Sequence, residues 1–285
     1  MKDFLSLIYE GFQLENDNWC DIAKSQFSHS YDADYKNKNY DKRVINQFYL
    51  LKYAPIYKYE YYEMYKLFLK NFKQDTANIF SIGVGVGLDY WGLSDVIIDL
   101  KSNLNIDYLG IDVIDWEYRF DIRFLQKSLE EITINDLKNF TLGEANIFVF
   151  PKSIIEIDDT ILDKFANLIL DLYKDKFNVE FWFLVSFIKS GDDISGVDKM
   201  KNFVNKFRDN GYNYEAIRLS NDNNFNIEKI DYTQYLDYWN TWKRDLYLHC
   251  RNCSHNPYCG LGDIYPMLKT KHLRYGIYKF KKGIE

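Results

Sequence analysis

The sequence predicts an open α/β fold, a mostly parallel sheet with flanking helices, and three observations carry that expectation. From Asn78 onward, short apolar runs of strand length alternate with longer segments of helical period. Three glycines at alternate positions, Gly83, Gly85 and Gly87, separate the first apolar run from the first helical segment. Hydrophobic residues make up 47% of the 285 residues and aromatics 18%, so burial can offset chain entropy and a disordered chain is excluded.

Residues 1–75 read as a helical, tyrosine-rich N-terminal region that caps the sheet. Between Val44 and Phe72, apolar and aromatic residues recur at helical spacing on both sides of Pro55, which is expected to interrupt one helix and start the next. These tyrosines either pack on the main core or wall a substrate pocket, since tyrosine joins apolar area to a polar tip. Residues 76–285 read as the sheet domain. Strands are expected over 78–82, 107–113, 145–150, 179–187, 212–219 and 273–280. Helices are expected over 88–103, 124–133, 160–176 and 197–210, the last stopped by Gly211. A small Cys-rich insertion occupies about 240–268. Ligands of such open sheets sit beyond the carboxyl ends of the strands.

The net charge of −6 argues against binding nucleic acid through global charge. The last strand, with Lys269, Lys271, Arg274, Lys279, Lys281 and Lys282, is a local exception. It reads either as an edge strand protected by lysines or as a basic face. The apolar stretch at the N-terminus is too short for a signal peptide and no run reaches membrane-spanning length, so a soluble, cytoplasmic chain is expected. Its four cysteines are then expected to be free or metal-bound.

A strand that ends in glycines before a helix gathers backbone N–H groups and the positive helix end at one place, open to a ligand because no Cβ intervenes. That is a nucleotide site, and spacing discriminates among nucleotides. A dinucleotide-binding turn needs a small residue at position 88, where this chain has Leu88, and no Lys-Ser/Thr pair follows to make a phosphate-binding P-loop. With its G-x-G-x-G spacing the stretch resembles the class I S-adenosylmethionine-dependent methyltransferases, whose fold is Rossmann-like. The resemblance implies that Gly83, Gly85 and Gly87 line the cofactor S-adenosylmethionine and that Asp112, at the tip of the second strand, holds its ribose. A carboxylate suits the second role because it accepts from two adjacent hydroxyls in a fork. Asp115 or Trp116 would lie near the adenine. Ser81 stands two positions before the first glycine, where that family often carries an acid that meets the cofactor's amino group. The fourth strand ends in Pro151, Lys152 and Ser153, with Pro151 placed against the cofactor and Lys152 and Ser153 on the acceptor side as catalytic candidates. Glu156 and Asp158 are nearby candidates for a base. The strand end lacks the Asn/Asp-Pro-Pro-Tyr/Phe tetrapeptide of amino-directed DNA methyltransferases, so adenine-N6 chemistry of that kind is not supported.

Cys250, Cys253 and Cys259 fall within ten residues, flanked by His249 and His255. A C-x2-C turn lets two thiolates reach one metal, and a third thiolate with a fourth ligand closes a tetrahedron, which makes zinc the expected ion and its role structural. His255 or Cys20 supplies the fourth ligand. The C-x2-C-x5-C spacing also accommodates an iron-sulfur cluster with one external ligand.

The leading functional reading is methyl transfer to an unidentified acceptor, with RNA placed first because single-stranded bases stack on Tyr and Phe and phosphates pair with Lys and Arg. Protein and small-molecule acceptors stand close behind. The alternative is a catalytically silent protein that keeps the fold and uses the zinc module to bind a protein partner. No membrane partner is expected.

Overall fold

The computed structural model describes residues 43–188, 195–219 and 273–282, with residues 5, 7, 8, 225–226 and 269–270. These fall into two compact units. One holds the residues up to Tyr57, Trp116–Tyr118 and those within Phe225–Thr270; the other holds Lys58–Asp115, Arg119–Asn224 and the chain from Lys271.

Helix α1 (Arg43–Asn71) gives its first half to the first unit. Tyr49, Tyr53 and Tyr57 recur every fourth residue, so their rings lie along one face. Tyr53 stacks on Tyr57 at 5.2 Å, and Tyr49 lies 5.5 Å from Trp116. Gln47 Nε2 donates to the Tyr118 hydroxyl at 2.8 Å. Pro55 lies inside α1 and does not interrupt it, contrary to expectation. A proline in a helix interior costs about 3 kcal/mol; here Ala54, Ile56 and Tyr57 are all buried around it, and tertiary packing keeps the helix whole. A two-residue antiparallel ladder pairs Phe225–Asn226 with Lys269–Thr270.

The second unit is built on a seven-stranded sheet. Its strands are β1 (Thr76–Ile82), β2 (Asn105–Asp112), β3 (Arg123–Gln126), β4 (Ile147–Pro151), β5 (Glu180–Ile188), β6 (Tyr212–Leu219) and β7 (Leu273–Lys282). They lie in the order 3-2-1-4-5-7-6, all parallel except β7, which runs antiparallel to both neighbours. Helices α2 (Leu88–Leu100), α3 (Ile134–Leu137), α4 (Asp159–Tyr173) and α5 (Ser195–Arg208) connect them. The expected helix over 124–133 is absent. Its first residues form most of β3, where Leu109–Asp112 of β2 pairs in parallel register with Arg123–Gln126, and Leu129–Glu131 make a single 3-10 turn.

Strands β1, β4 and β5 have buried, near-continuous apolar sequences, as a sheet covered on both faces requires. On one face Phe150, Phe165, Phe183, Phe203 and Phe207 interlock beneath α4 and α5, and Phe181 stacks on Phe280 at 5.0 Å. On the other, Phe68 of α1 meets Trp182 of β5 edge-on at 5.2 Å.

Strand β7 lies between β5 and β6 in the sheet interior, so the expectation of an edge strand protected by lysines does not hold. Lys279 and Lys281 both reach Glu180, at 3.1 and 3.4 Å, and the Lys282 ammonium donates to the carbonyls of Lys174 and Lys176. Within the described part of the strand these ammonium groups are engaged by β5 and the loop before it, while the Lys281 side chain stays 61% exposed.

Candidate functional site

Strand β1 delivers the chain into the glycine turn at the carboxyl end of the sheet. Gly83, Gly85 and Gly87 all take positive φ, 69°, 55° and 88°, a region that costs a Cβ-bearing residue about 1–2 kcal/mol. Valines 84 and 86 between them are buried, so the alternation fixes side chains inward and backbone outward. The amides of Gly83 and Val84 donate to the Ile111 carbonyl at 2.8 and 3.0 Å, tying the turn to β2, and Gly87 caps α2.

What lies against this bare backbone is in part the protein itself. A Cβ on Gly83 would come 2.5 Å from Ser153 Cβ, inside contact distance. The loop after β4 thus rests on the turn, and the Ser153 hydroxyl donates to the Ile82 carbonyl. At Gly87 a Cβ would find Phe120 and Ile122 at 3.4 Å, which leaves room, so its φ is the constraint there.

Asp112 turns back from the end of β2 onto the same turn. Its Oδ2 accepts from the Gly85 amide at 2.8 Å and its Oδ1 from the Ile114 amide at 2.9 Å. Burial pushes the carboxyl above the usual aspartate range, while those amides and the Arg119 charge pull the other way. An ionised carboxylate has about four acceptor sites, so one donor per oxygen leaves each able to take a hydroxyl. Asp112 therefore fits a ribose diol without giving up the contacts that orient it.

The remaining sequence candidates are placed as follows. Asp115 is exposed and paired with Arg119 at 3.0 Å. Trp116 falls in the first unit, against Tyr49. Asp158 caps α4, accepting from the Thr160 amide at 2.8 Å, and Glu156 is exposed. Pro151 ends β4, paired in register with Ser186 of β5.

Lys152 follows with φ 67°, a left-handed backbone that non-glycine residues seldom adopt and that marks strain at functional sites. Its amide donates to the Phe150 and Ser186 carbonyls. Its ammonium is turned inward. It pairs with Glu60 of α1 and donates to Ser186 Oγ at 2.8 Å and the Tyr61 hydroxyl at 3.3 Å, while Ser186 Oγ donates to the other Glu60 oxygen at 2.9 Å. Burial pushes Glu60 up and Lys152 down, and the mutual attraction of the pair opposes both shifts.

A second buried carboxylate lies beside this pair. Asp89, in the first turn of α2, is 1% exposed. Its Oδ2 accepts from the Tyr108 hydroxyl at 2.7 Å, the Ser81 hydroxyl at 2.8 Å and the Tyr65 hydroxyl at 3.4 Å. Ser81, singled out in the sequence for lacking an acid, thus presents one carried by the helix. Burial pushes the Asp89 carboxyl up, against the pull of the Tyr108 and Ser81 hydroxyls and of the Tyr90 and Asp89 amides at the start of the helix.

Glu60 and Asp89 escape a sequence reading because each stands in a helical segment where an acid ordinarily faces water. Only the run of aromatic neighbours around Glu60, in KYEYYEMY, hints that this stretch of helix is covered on every side. The expected metal ligands Cys20, Cys250, Cys253, His255 and Cys259 lie outside the described residues. Among the described residues no group of three His, Cys, Asp or Glu is placed to hold a metal ion, and no described helix is long and apolar enough to cross a membrane.

No family model and no curated protein matches the chain. Among solved structures it is similar to the plantazolicin methyltransferase BpumL in complex with S-adenosylhomocysteine and a desmethylplantazolicin analogue, at 13% identity over 98% of this chain and 99% of that one, with a TM-score of 0.44. A cyclopropane-fatty-acyl-phospholipid synthase-like protein from Lactobacillus casei matches at 12% identity over 79% and 92% of the two chains, with a TM-score of 0.37. The mitomycin 7-O-methyltransferase MmcR matches at 12% identity over 54% and 48%, with a TM-score of 0.33. At such identities the likeness assigns neither activity nor acceptor.

Proposed function

We propose that this chain, whose seven-stranded sheet has the class I S-adenosylmethionine methyltransferase fold, binds S-adenosylmethionine against the turn between β1 and α2 and transfers its methyl group to an acceptor. The observation that carries the reading is the Asp112 carboxylate folded onto the glycine turn, 2.8 Å from the Gly85 amide, with acceptor sites to spare. The cofactor, when bound, supplies an electrophilic methyl on a sulfonium, which moves to the acceptor by in-line displacement. The protein's task is then alignment and exclusion of water, and no strong base is needed unless the acceptor must first lose a proton.

In this reading Gly83, Gly85 and Gly87 let the ligand approach the main chain, and Asp112 fixes the sugar. Lys152 and Ser153 serve as positioning residues, since Ser153 rests on Gly83 and the Lys152 ammonium faces Glu60 and not the turn. No acceptor is proposed, because the lysines of β7 that put RNA first are engaged within the sheet. A structural zinc held by Cys250, Cys253, Cys259 and His255 or Cys20 stays part of the proposal on spacing alone.

Asp112→Ala is expected to weaken S-adenosylhomocysteine binding about a hundredfold in calorimetry, the scale of losing two hydrogen bonds to a charged group. A wild type that binds neither the cofactor nor its product overturns the reading. Binding without turnover on any acceptor would instead leave the silent alternative. The affinity is also expected to fall on acidification. Ribose binding needs the ionised carboxylate, and burial raises the Asp112 pKa in the free protein, so the loss begins at a higher pH than for an ordinary aspartate near 3.8. Calorimetric titrations between about pH 4 and 7 read this directly. An affinity flat across that range would contradict the assignment of Asp112.

A further inference from the structure

Two amides orient Asp112, and one of them belongs to the segment that follows β2. The Ile114 amide donates to Asp112 Oδ1 at 2.9 Å, and the Ile114 carbonyl is held in turn by Arg119, whose Nη2 donates to it at 3.2 Å. Nη2 also pairs with Asp115 Oδ1 at 3.0 Å. The guanidinium carbon lies 3.3 Å from the centre of the Phe124 ring on β3, the strand that pairs with β2. One residue further on, the Phe120 amide donates to the Val86 carbonyl at 3.0 Å, which pins the segment to the glycine turn. The contacts form one line, from β3 through Arg119 and Ile114 to Asp112 and the Gly85 amide.

Stability alone gives little reason for a guanidinium here. The Arg119 side chain is 12% exposed, and its Nε is buried with no hydrogen-bond partner among the described residues. Its carboxylate partner Asp115 is 70% exposed, and an ion pair so open to water adds little. An apolar side chain would cover Phe124 without burying an unmatched donor. What it would not supply is the bond to the Ile114 carbonyl and a positive charge near Asp112. The other charged groups around this carboxylate are differently placed. The Lys127 ammonium is paired with Asp136 at 2.8 Å, Glu117 with Arg43 at 3.1 Å, and Asp121 is exposed. Gln126, the register partner of Asp112 on β3, and the glycine turn itself carry no charge.

We propose that Arg119 is the positioning residue of the ribose site, locking Ile114 so that its amide faces Asp112 and holding a fixed cation near the carboxylate that takes the sugar diol. The inference rests on the methyltransferase reading and adds to it a residue that acts through Asp112. Burial pushes the Asp112 carboxyl up, and the Ile114 and Gly85 amides together with the Arg119 charge pull it down. With the cation gone, the carboxyl takes up a proton at a higher pH. Ribose binding needs the ionised form, so it is then lost earlier on acidification.

The test measures S-adenosylhomocysteine affinity by calorimetry between about pH 4 and 8 on wild type, Arg119→Gln, Arg119→Lys and Asp115→Asn. Arg119→Gln is expected to weaken binding about tenfold near pH 7 and to begin its acid loss at a higher pH than wild type. Arg119→Lys keeps the charge without the planar fork. It is expected to return the acid loss to the wild-type position while staying about threefold weaker near pH 7. Asp115→Asn alters an exposed side chain, and so serves even where Arg119→Gln does not fold. It removes the anion that shares the guanidinium, and its acid loss is expected to begin at a lower pH than wild type. On an Asp112→Asn background, the Arg119→Gln step is expected to shrink to within about threefold and to lose its pH dependence. A residue that only holds the segment together would lower affinity by one factor at every pH, with or without Asp112. That outcome, or an Arg119→Gln variant that titrates like wild type, overturns the proposal and leaves the methyltransferase reading intact. A wild type that binds no S-adenosylhomocysteine overturns both.

Discussion

Replacing Lys152 by methionine is expected to lower the unfolding free energy by about 3–5 kcal/mol, because it strands Glu60 as an uncompensated charge in the interior. The loss should be seen as a lower urea midpoint at unchanged slope. It should also grow with pH. Without the lysine, the Glu60 pKa in the folded chain rises further above its unfolded value near 4.5, so the native state holds a proton that the unfolded state has released, and stability falls as pH rises through that window. Removing both charges with Glu60→Gln and Lys152→Met is expected to recover most of the loss, since apolar or neutral replacements of a buried pair are often close to neutral. A single variant within about 1 kcal/mol of wild type would mean that the pair is solvated and that Lys152 does not point inward.

Gly83→Ala is expected to be nearly as damaging. The added methyl meets Ser153 Cβ at 2.5 Å and must also be carried at φ 69°. Overpacking of about 1–3 kcal/mol adds to a left-handed penalty of about 1–2 kcal/mol, for a total of about 2–5 kcal/mol. The two parts separate in a double-mutant cycle. Ser153→Gly clears the space and should return the steric part, leaving the backbone part in place, whereas Ser153→Ala keeps the offending Cβ and should return nothing. Additive behaviour of Gly83→Ala and Ser153→Gly would show that the β4 loop does not rest on the turn.

The same glycine shows how far the sequence reaches. Bare backbone at Gly83 was legible, and so was the turn from strand to helix, because both follow from local pattern. The occupant was not, since Ser153 is 70 residues downstream and only the crossover between β1 and β4 brings it there. Asp112 was legible for the same local reason, standing at the tip of a clear apolar run. Strand β7 was recognised as a strand and misplaced as an edge, because periodicity says nothing about which neighbour a strand takes. Pro55 was read as a break because its own chemistry forbids a hydrogen bond, and the burial that overrides it is tertiary. Glu60 and Asp89 were missed outright. Each looks like an ordinary helix acid until packing shuts it away from water.

The antiparallel neighbours at the end of the sheet have a further consequence. Leu219 of β6 faces Gly276 of β7, so the backbone exits one strand and enters the next at the same rim. As far as the scaffold is concerned, a tight hairpin would suffice for that junction. The fifty-odd amino acids between them are therefore not needed to set the register of β6 against β7, which the ladder itself fixes.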